Sequence, residues 1–390
     1  MNITIVTPYY APAWGYGGPP KLLHEFALAL KQRGHRINVI TCDSLNGTRS
    51  KAYQDRFEGI PIYRLKTFSN YLAWSHKIFL PIGAKKYLAR TLKTADFVFC
   101  SDLRHTLNIS ASTVCKKYQI PYSIAAYGEI AITKDWKSIF KNLYDLLYGK
   151  RIARLAMFLF AQTEHEMKAY KKYIGEHKNI TLFPLAIDLA PFDKLPSINI
   201  FRKKYNLTLR DKLVLFVGRF NRYKGIDSLI KSINRIKTSV PNIKLVLVGR
   251  DDGYLSELKD MIQEYKLENH VIITPPLYNI DTIEAYSSAD VFVITPPHSE
   301  ETSLASLAAL ACGCPVIVNE NCQIPWLDES NAGITIKKSE NPDDALLQVL
   351  KYGKVGQKMG INARTLAHTR YSWVTRVKDF ETLVSQQLKG

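Results

Sequence analysis

Leu213-Val214-Leu215-Phe216-Val217-Gly218-Arg219-Phe220-Asn221-Arg222-Tyr223-Lys224-Gly225 opens the second half of a 390-residue chain. Five apolar residues in a row read as a strand buried on both faces, and Gly218 closes it. Apolar spacing over 226–236 then predicts a helix, so the loop between carries two cations, Arg219 and Lys224, framed by glycines. Strand, glycine-framed loop and helix make up the repeating unit of parallel α/β sheets. Cations on such a loop neutralise a diphosphate best when partly desolvated. Solvated loop cations are the plain alternative in a chain this basic.

The same rhythm runs outward from this unit. Strands are expected at 243–248, 271–274, 291–294 and 316–318, with helices at 254–265, 280–287 and 304–312 between them. Upstream, 3–7, 37–41, 97–100, 122–126 and 155–161 read as strands of a separate sheet. A helix after Pro20 ends at Gly34. Pro184, Pro191 and Pro196 mark a loosened stretch that suits a linker. Two Rossmann-type units are therefore expected, with ligands at the C-terminal ends of the strands.

Charge separates the halves. The chain carries 53 Lys and Arg against 35 Asp and Glu, a net +18. Residues 1–190 hold 27 against 13, net +14, and residues 191–390 hold 26 against 22, net +4. Such an excess calls for an anionic partner, but no basic tail, zinc-finger or RNP-type motif favours nucleic acid. Cys42, Cys100, Cys115, Cys312, Cys314 and Cys322 show no CxxC spacing and read as buried thiols of a reducing compartment. The N-terminus enters a strand without a basic leader, and the longest apolar run, 155–161, is strand-sized. A cytoplasmic location follows as the expectation, with at most peripheral contact at the inner face of the plasma membrane.

Two further constellations bear on chemistry. Gly15-Tyr16-Gly17-Gly18-Pro19-Pro20 follows the first strand, where paired glycines let backbone amides approach an anion. Pro20 spoils a GxGxxG fingerprint and disfavours a dinucleotide site. Pro296-Pro297-His298-Ser299-Glu300-Glu301-Thr302-Ser303-Leu304 precedes an Ala/Leu-rich helix. Thr302 and Ser303 are N-cap types, so free amides there face a ligand, and Glu300 is placed to accept from sugar hydroxyls. The plain alternative is that Glu300 and Glu301 only complement the helix dipole. His105 and His298 read as loop residues, and no His, Asp and Glu group at metal-ligand spacing.

Together these residues resemble the retaining GT-B glycosyltransferases of family 4. The resemblance spans nearly the whole chain. Its front part is Gly17-Gly18, the helix from Lys21, and Arg33-Gly34-His35 before a strand. Next come Pro184-Leu185-Ala186-Ile187-Asp188 and Val217-Gly218-Arg219 with Lys224-Gly225. Ala311-Cys312-Gly313-Cys314-Pro315-Val316-Ile317 and Tyr371-Ser372-Trp373 close the series. The resemblance implies two Rossmann-like domains facing a central cleft. Residues 1–188, with a returning C-terminal helix 373–390, would bind the acceptor, and 189–372 the nucleotide sugar. It further implies a metal-independent hexosyl transfer with retention, no cofactor, and a glycan or lipid-linked acceptor in surface polysaccharide or glycolipid synthesis. Arg219, Lys224 and Glu300 would be catalytic. Gly17, Gly18, Tyr127, Thr302, Ser303 and Leu304 would bind substrate.

Two positions depart from the family pattern. The paired glutamates of the family stand eight apart, which places Ala308 where the second, ribose-gripping one belongs. Losing such a charged acceptor costs roughly 1.5–3 kcal/mol. Tyr127-Gly128 stands where many relatives have His-Gly, and a tyrosine is a poor base at neutral pH. A non-catalytic GT-B subunit or weak nucleotide binder is the alternative, and a nucleic-acid-binding protein a more distant one.

Residues 71–93 and 136–154 mix aromatic and basic residues in the front half. Such helices lie in anionic membrane surfaces, so peripheral membrane contact is the expectation. For the second stretch, packing on the sheet with a solvated basic face is the favoured reading. Pro81 and Gly83 should interrupt the first.

Overall fold

A computed structural model describes residues 1–130, 138–176, 179–351 and 353–389. Two compact units emerge: Met1–Leu185 with Arg376–Gly390, and Ala186–Thr375.

The first unit has, in chain order, β1 (Asn2–Val6), β2 (Arg36–Cys42), a small hairpin of β3 (Ser44–Leu45) and β4 (Thr48–Arg49), then β5 (Gln54–Phe57) and β6 (Ile60–Leu65). It continues with β7 (Phe97–Ser101), β8 (Tyr122–Ala125), β9 (Phe158–Ala161) and β10 (Ile180–Leu182). The sheet order among the described residues is β10-β9-β8-β7-β1-β2-β6-β5, with β5 antiparallel to β6 and the other pairs parallel. Apolar runs such as Phe97-Val98-Phe99-Cys100 are buried throughout because helices cover both faces. Strand β9 starts later than the sequence suggests, since Leu155 ends the helix Lys150–Leu155.

The helix Gly18–Gln32 also begins earlier than expected, taking both Pro19 and Pro20 into its first turn. Proline is tolerated there because first-turn amides have no intrahelical acceptor. Gly34, at φ +86°, turns the chain into β2, and the residues on either side of it hold the C-terminal helix. Arg33 Nη2 lies 2.7 Å from Glu381 Oε2, and His35 Nε2 lies 2.8 Å from Glu381 Oε1.

That helix, Trp373–Lys389, buries Phe380 completely in the first unit. The Phe380 ring centroid lies 5.5 Å from Phe26, 5.4 Å from Phe97 and 6.2 Å from Phe160. Phe380→Ala is expected to destabilise this unit by about 3–5 kcal/mol, read as a lowered urea midpoint. An unchanged midpoint would show that the helix does not hold the unit.

The second unit has β11 (Lys212–Val217), β12 (Ile243–Val248), β13 (Val271–Thr274), β14 (Val291–Ile294), β15 (Val316–Asn319) and β16 (Gly333–Ile336). Their order is β13-β12-β11-β14-β15-β16, all parallel. This is the doubly wound order that reverses direction between the first and fourth strands. Strand β16 carries no long apolar run to announce it. Gly333 admits it, since a Cβ there would lie 2.1 Å from Val316 O. Both units are thus Rossmann-like α/β layers.

The two basic-aromatic stretches take different courses. The first forms helices Asn70–His76 and Ala84–Thr91, interrupted between them as Pro81 and Gly83 suggest. The second runs as one helix through Ser138–Tyr144, a π-helical turn Asp145–Gly149, and Lys150–Leu155. Trp136 and Lys137 lie outside the described residues. The expected packing holds only at the C-terminal end of this helix, where Ile152 and Ala153 are buried and Lys150, Arg151 and Arg154 are exposed; before that, Asp145 and Gly149 are buried while Leu143 and Leu147 are exposed. Buried Asp145 fixes this: partly buried Arg104 Nη2 lies 2.8 Å from its Oδ2, while Tyr173 donates to its Oδ1 at 2.7 Å. A charged pair held inside turns the apolar positions outward.

Candidate functional site

In the second unit the direction of the sheet reverses between β11 and β14, so the loops after those strands flank the topological switch point. Both charged motifs sit on these loops. Gly225 joins them: at φ +72° its added Cβ would lie 2.1 Å from Thr295 O. Only glycine allows that approach. A short 3-10 turn, Arg222–Lys224, precedes it, capped by Asn221 Oδ1 accepting from the Tyr223 amide at 2.9 Å.

This geometry pairs Lys224 Nζ with Glu300 Oε1, both partly buried. The reading of Glu300 as a mere dipole partner is thereby corrected, because its charge is spent on a cation from the other loop. Arg219 Nη1 lies 2.9 Å from Asp252 Oδ2 and is more exposed. Asn221 Nδ2 shares that carboxylate at 3.1 Å. Three candidate residues thus stand on two adjoining loops, with their charges already matched.

Ser303 is the N-cap of helix Leu304–Ala311, and its side chain bonds no amide of that helix. Ser306 and Leu307 amides donate back to Ser303 O at 3.1 and 3.2 Å, so the first-turn amides of Leu304 and Ala305 are the ones left to a ligand or solvent. Thr302 is not the cap; its hydroxyl donates to Gln323 O at 2.8 Å. The loop is braced from the segment after β15, which sequence reading missed. Asn319 Nδ2 and Asn321 Nδ2 each donate to Pro296 O at 2.9 Å, and the Glu300 amide donates to Asn321 O at 2.8 Å. The signal was the cluster Asn319, Asn321 and Gln323 directly behind a buried strand. On the helix, Ala308 is partly exposed while Leu307, Ala309 and Leu310 are buried.

In the first unit the order reverses between β1 and β7. Gly17 is the N-cap of its helix at φ +102°, a conformation that favours glycine, whereas Gly18 is the first helical residue. Expected amide donation from this turn is reduced, because Pro19 and Pro20 supply no N–H. Gly15 is needed for packing, since a Cβ there would lie 2.6 Å from the Trp74 ring. Tyr16 stacks on Tyr9 at 4.9 Å, and Tyr9 donates to Asp102 Oδ1 at 2.8 Å across the switch point. Ser101 donates to Asp102 Oδ2 at 2.8 Å. Burial and the Glu129 charge push the Asp102 carboxyl up to about 8. Neither Tyr9 nor Asp102 belongs to a sequence motif; only their places directly after β1 and β7 mark them.

Tyr127 follows β8 in a left-handed conformation, φ +49°. Burial, with Asp102 and Glu166 nearby, pushes its hydroxyl above the ordinary range, so it is no base at neutral pH. His105 is buried at the start of helix Thr106–Tyr118, its Nε2 lying 2.9 Å from Ser101 O. Burial lowers it to about 4, which keeps it neutral. All six cysteines are unpaired and buried. Among the described residues no three His, Cys, Asp or Glu cluster as metal ligands, and no helix is long and apolar enough to cross a membrane. A groove of about 970 Å³, walled by Lys212, Asp290, Gly313, Gly360 and Arg364, lies at the N-terminal ends of β11 and β14, away from the candidate loops.

Residues 197–366 match the family model described as glycosyl transferases group 1. The chain is 24% identical to an uncharacterized glycosyltransferase of Methanocaldococcus jannaschii over 97% of its own length and 96% of the relative's. It is 30% identical to alpha-monoglucosyldiacylglycerol synthase of Streptococcus pneumoniae over 38% of its length and 33% of that protein's. The crystal structure of Anabaena HepE in complex with UDP superposes with a TM-score of 0.78 at 16% identity, covering 99% of this chain and 100% of that one. The fold is therefore that of the GT-B glycosyltransferases, and residues 197–366 are similar to the glycosyl transferases group 1.

Proposed function

We propose that this protein is a retaining, family 4 type glycosyltransferase that moves a hexosyl group from a nucleotide-diphosphate sugar to a lipid-linked or glycan acceptor. The pairing of Lys224 with Glu300 beside the β11–β14 switch point carries this reading. A donor entering there offers each partner a replacement: diphosphate oxygens for Lys224, sugar hydroxyls for Glu300. Arg219 adds a second cation for the leaving group, and the open first-turn amides of Leu304 and Ala305 add phosphate donors. Positive charge for the departing diphosphate thus comes from side chains, which makes the reaction metal-independent in this reading.

Transfer breaks the bond from the anomeric carbon to the phosphate oxygen and forms one to the acceptor oxygen on the same face. The acceptor proton leaves with the diphosphate, so no enzymic nucleophile is needed. The acceptor would lie at the switch point of the first unit, near Gly17, Tyr9, Asp102 and Tyr127. UDP in the crystal structure of Anabaena HepE and the lipid glucosylation named for the pneumococcal relative support the donor and acceptor classes.

Titration calorimetry against UDP, GDP and ADP tests the donor half. Binding of one of them is expected, lost in Lys224→Ala. Absence of heat with all three would overturn the reading.

A further inference from the structure

We propose that the first unit docks on an anionic lipid bilayer through two apolar stripes that meet at the loop after β7. This deepens the acceptor part of the proposed function, and rests on it only for why a transferase should sit there. The docking surface itself stands on exposure and charge.

The helix through 138–155 presents Ile139, Leu143, Leu146 and Leu147 at three- and four-residue spacing, and Ile139 and Leu146 are 71% and 76% exposed. Monomeric surfaces rarely leave such a stripe uncovered. The same helix ends in Lys150, Arg151 and Arg154, all exposed. Its described acid, Asp145, is buried against Arg104 and contributes no surface charge.

A second stripe adjoins it. Tyr71, Ile78, Leu80 and Ile82 are exposed along the break between helices Asn70–His76 and Ala84–Thr91. Lys85, Lys86 and Arg90 are exposed beyond them. The sequence contains no Asp or Glu between Glu58 and Asp96, and none between Asp145 and Glu164. Both stripes grip one loop: Thr106 Oγ1 donates to Phe79 O at 2.7 Å, and Tyr144 Oη donates to His105 O at 3.0 Å. Trp74 ties the second stripe to the glycine turn, its ring 5.1 Å from that of Tyr16.

Apolar side chains rimmed by one sign of charge match a bilayer, whose acyl boundary takes the former and whose anionic headgroups take the latter. A second copy of the chain would bring like charges together. Docking in this way would bring the Gly17 turn close to the headgroups, where a lipid-linked acceptor presents its hydroxyl.

The test is cosedimentation of the full chain with phosphatidylcholine vesicles, with and without phosphatidylglycerol. Binding to the anionic vesicles alone, lost at high salt, is expected. Lys150→Glu/Arg151→Glu/Arg154→Glu should lower partitioning by about a hundredfold. Leu143→Ser/Leu146→Ser/Leu147→Ser should weaken it as well, and both sets should keep wild-type melting and nucleotide binding. Equal binding to both vesicle types, or unchanged binding in both variants, overturns the proposal. So does a wild-type dimer in sedimentation velocity that the serine variant dissolves without any vesicle binding. Loss of nucleotide binding in the wild type with vesicle binding intact would instead sink the proposed function and leave this surface standing.

Discussion

Lys224→Ala and Glu300→Gln are each expected to lower kcat/KM for sugar transfer by roughly a hundredfold to a thousandfold. Lys224 would stabilise charge that develops on the leaving diphosphate, which makes it more valuable in the transition state than in the bound donor. Removing it also leaves Glu300 partly buried without its cation. Glu300→Gln keeps the shape but gives up the charge that strengthens hydrogen bonds to donor hydroxyls. Because the two side chains act as one unit, the double variant should be little worse than either single one. The pair is not fully desolvated, so unfolding midpoints should move by under about 1 kcal/mol. Wild-type turnover in both variants, measured with the nucleotide sugar identified by calorimetry, would refute their assignment.

Ala308→Glu is expected to tighten nucleotide binding by roughly tenfold to a hundredfold, the equivalent of one charge-assisted hydrogen bond. Ala308 lies one turn beyond Leu304 on a helix whose neighbouring positions Leu307 and Ala309 are buried. Its own partial exposure leaves room for a carboxylate without repacking the core. Ala305→Glu serves as the control: its carboxylate stands at the helix start, about one turn before Ala308, and should give no gain. Unchanged affinity in Ala308→Glu would mean that the nucleotide is held in another way. A gain in affinity without any transfer would favour the non-catalytic reading.

Several site features were legible locally. Gly225 announces itself as a loop-closing glycine, and the structure adds the reason, the carbonyl of Thr295 filling the space of a side chain. Arg33-Gly34-His35 is visible as a turn, but its service as a clamp on Glu381 depends on a residue almost the whole chain away. Tyr9 and Asp102 were invisible because a tyrosine and an aspartate 93 residues apart form no spacing pattern. The outward apolar stripe of 138–155 was read inward, since aromatic and basic alternation does not say which face meets the sheet. Buried Asp145, paired with Arg104, decides it.

By itself, then, the sequence determined the α/β class, the two sheets and the loops that carry charge. Those depend on apolar periodicity and on glycine and proline, whose effects act within a few residues. Tertiary structure decided that Lys224 meets Glu300, that Pro19 and Pro20 enter a helix, and that a leucine-bearing helix face meets solvent. These depend on strand order and on buried ion pairs, which bring together groups that chain distance separates.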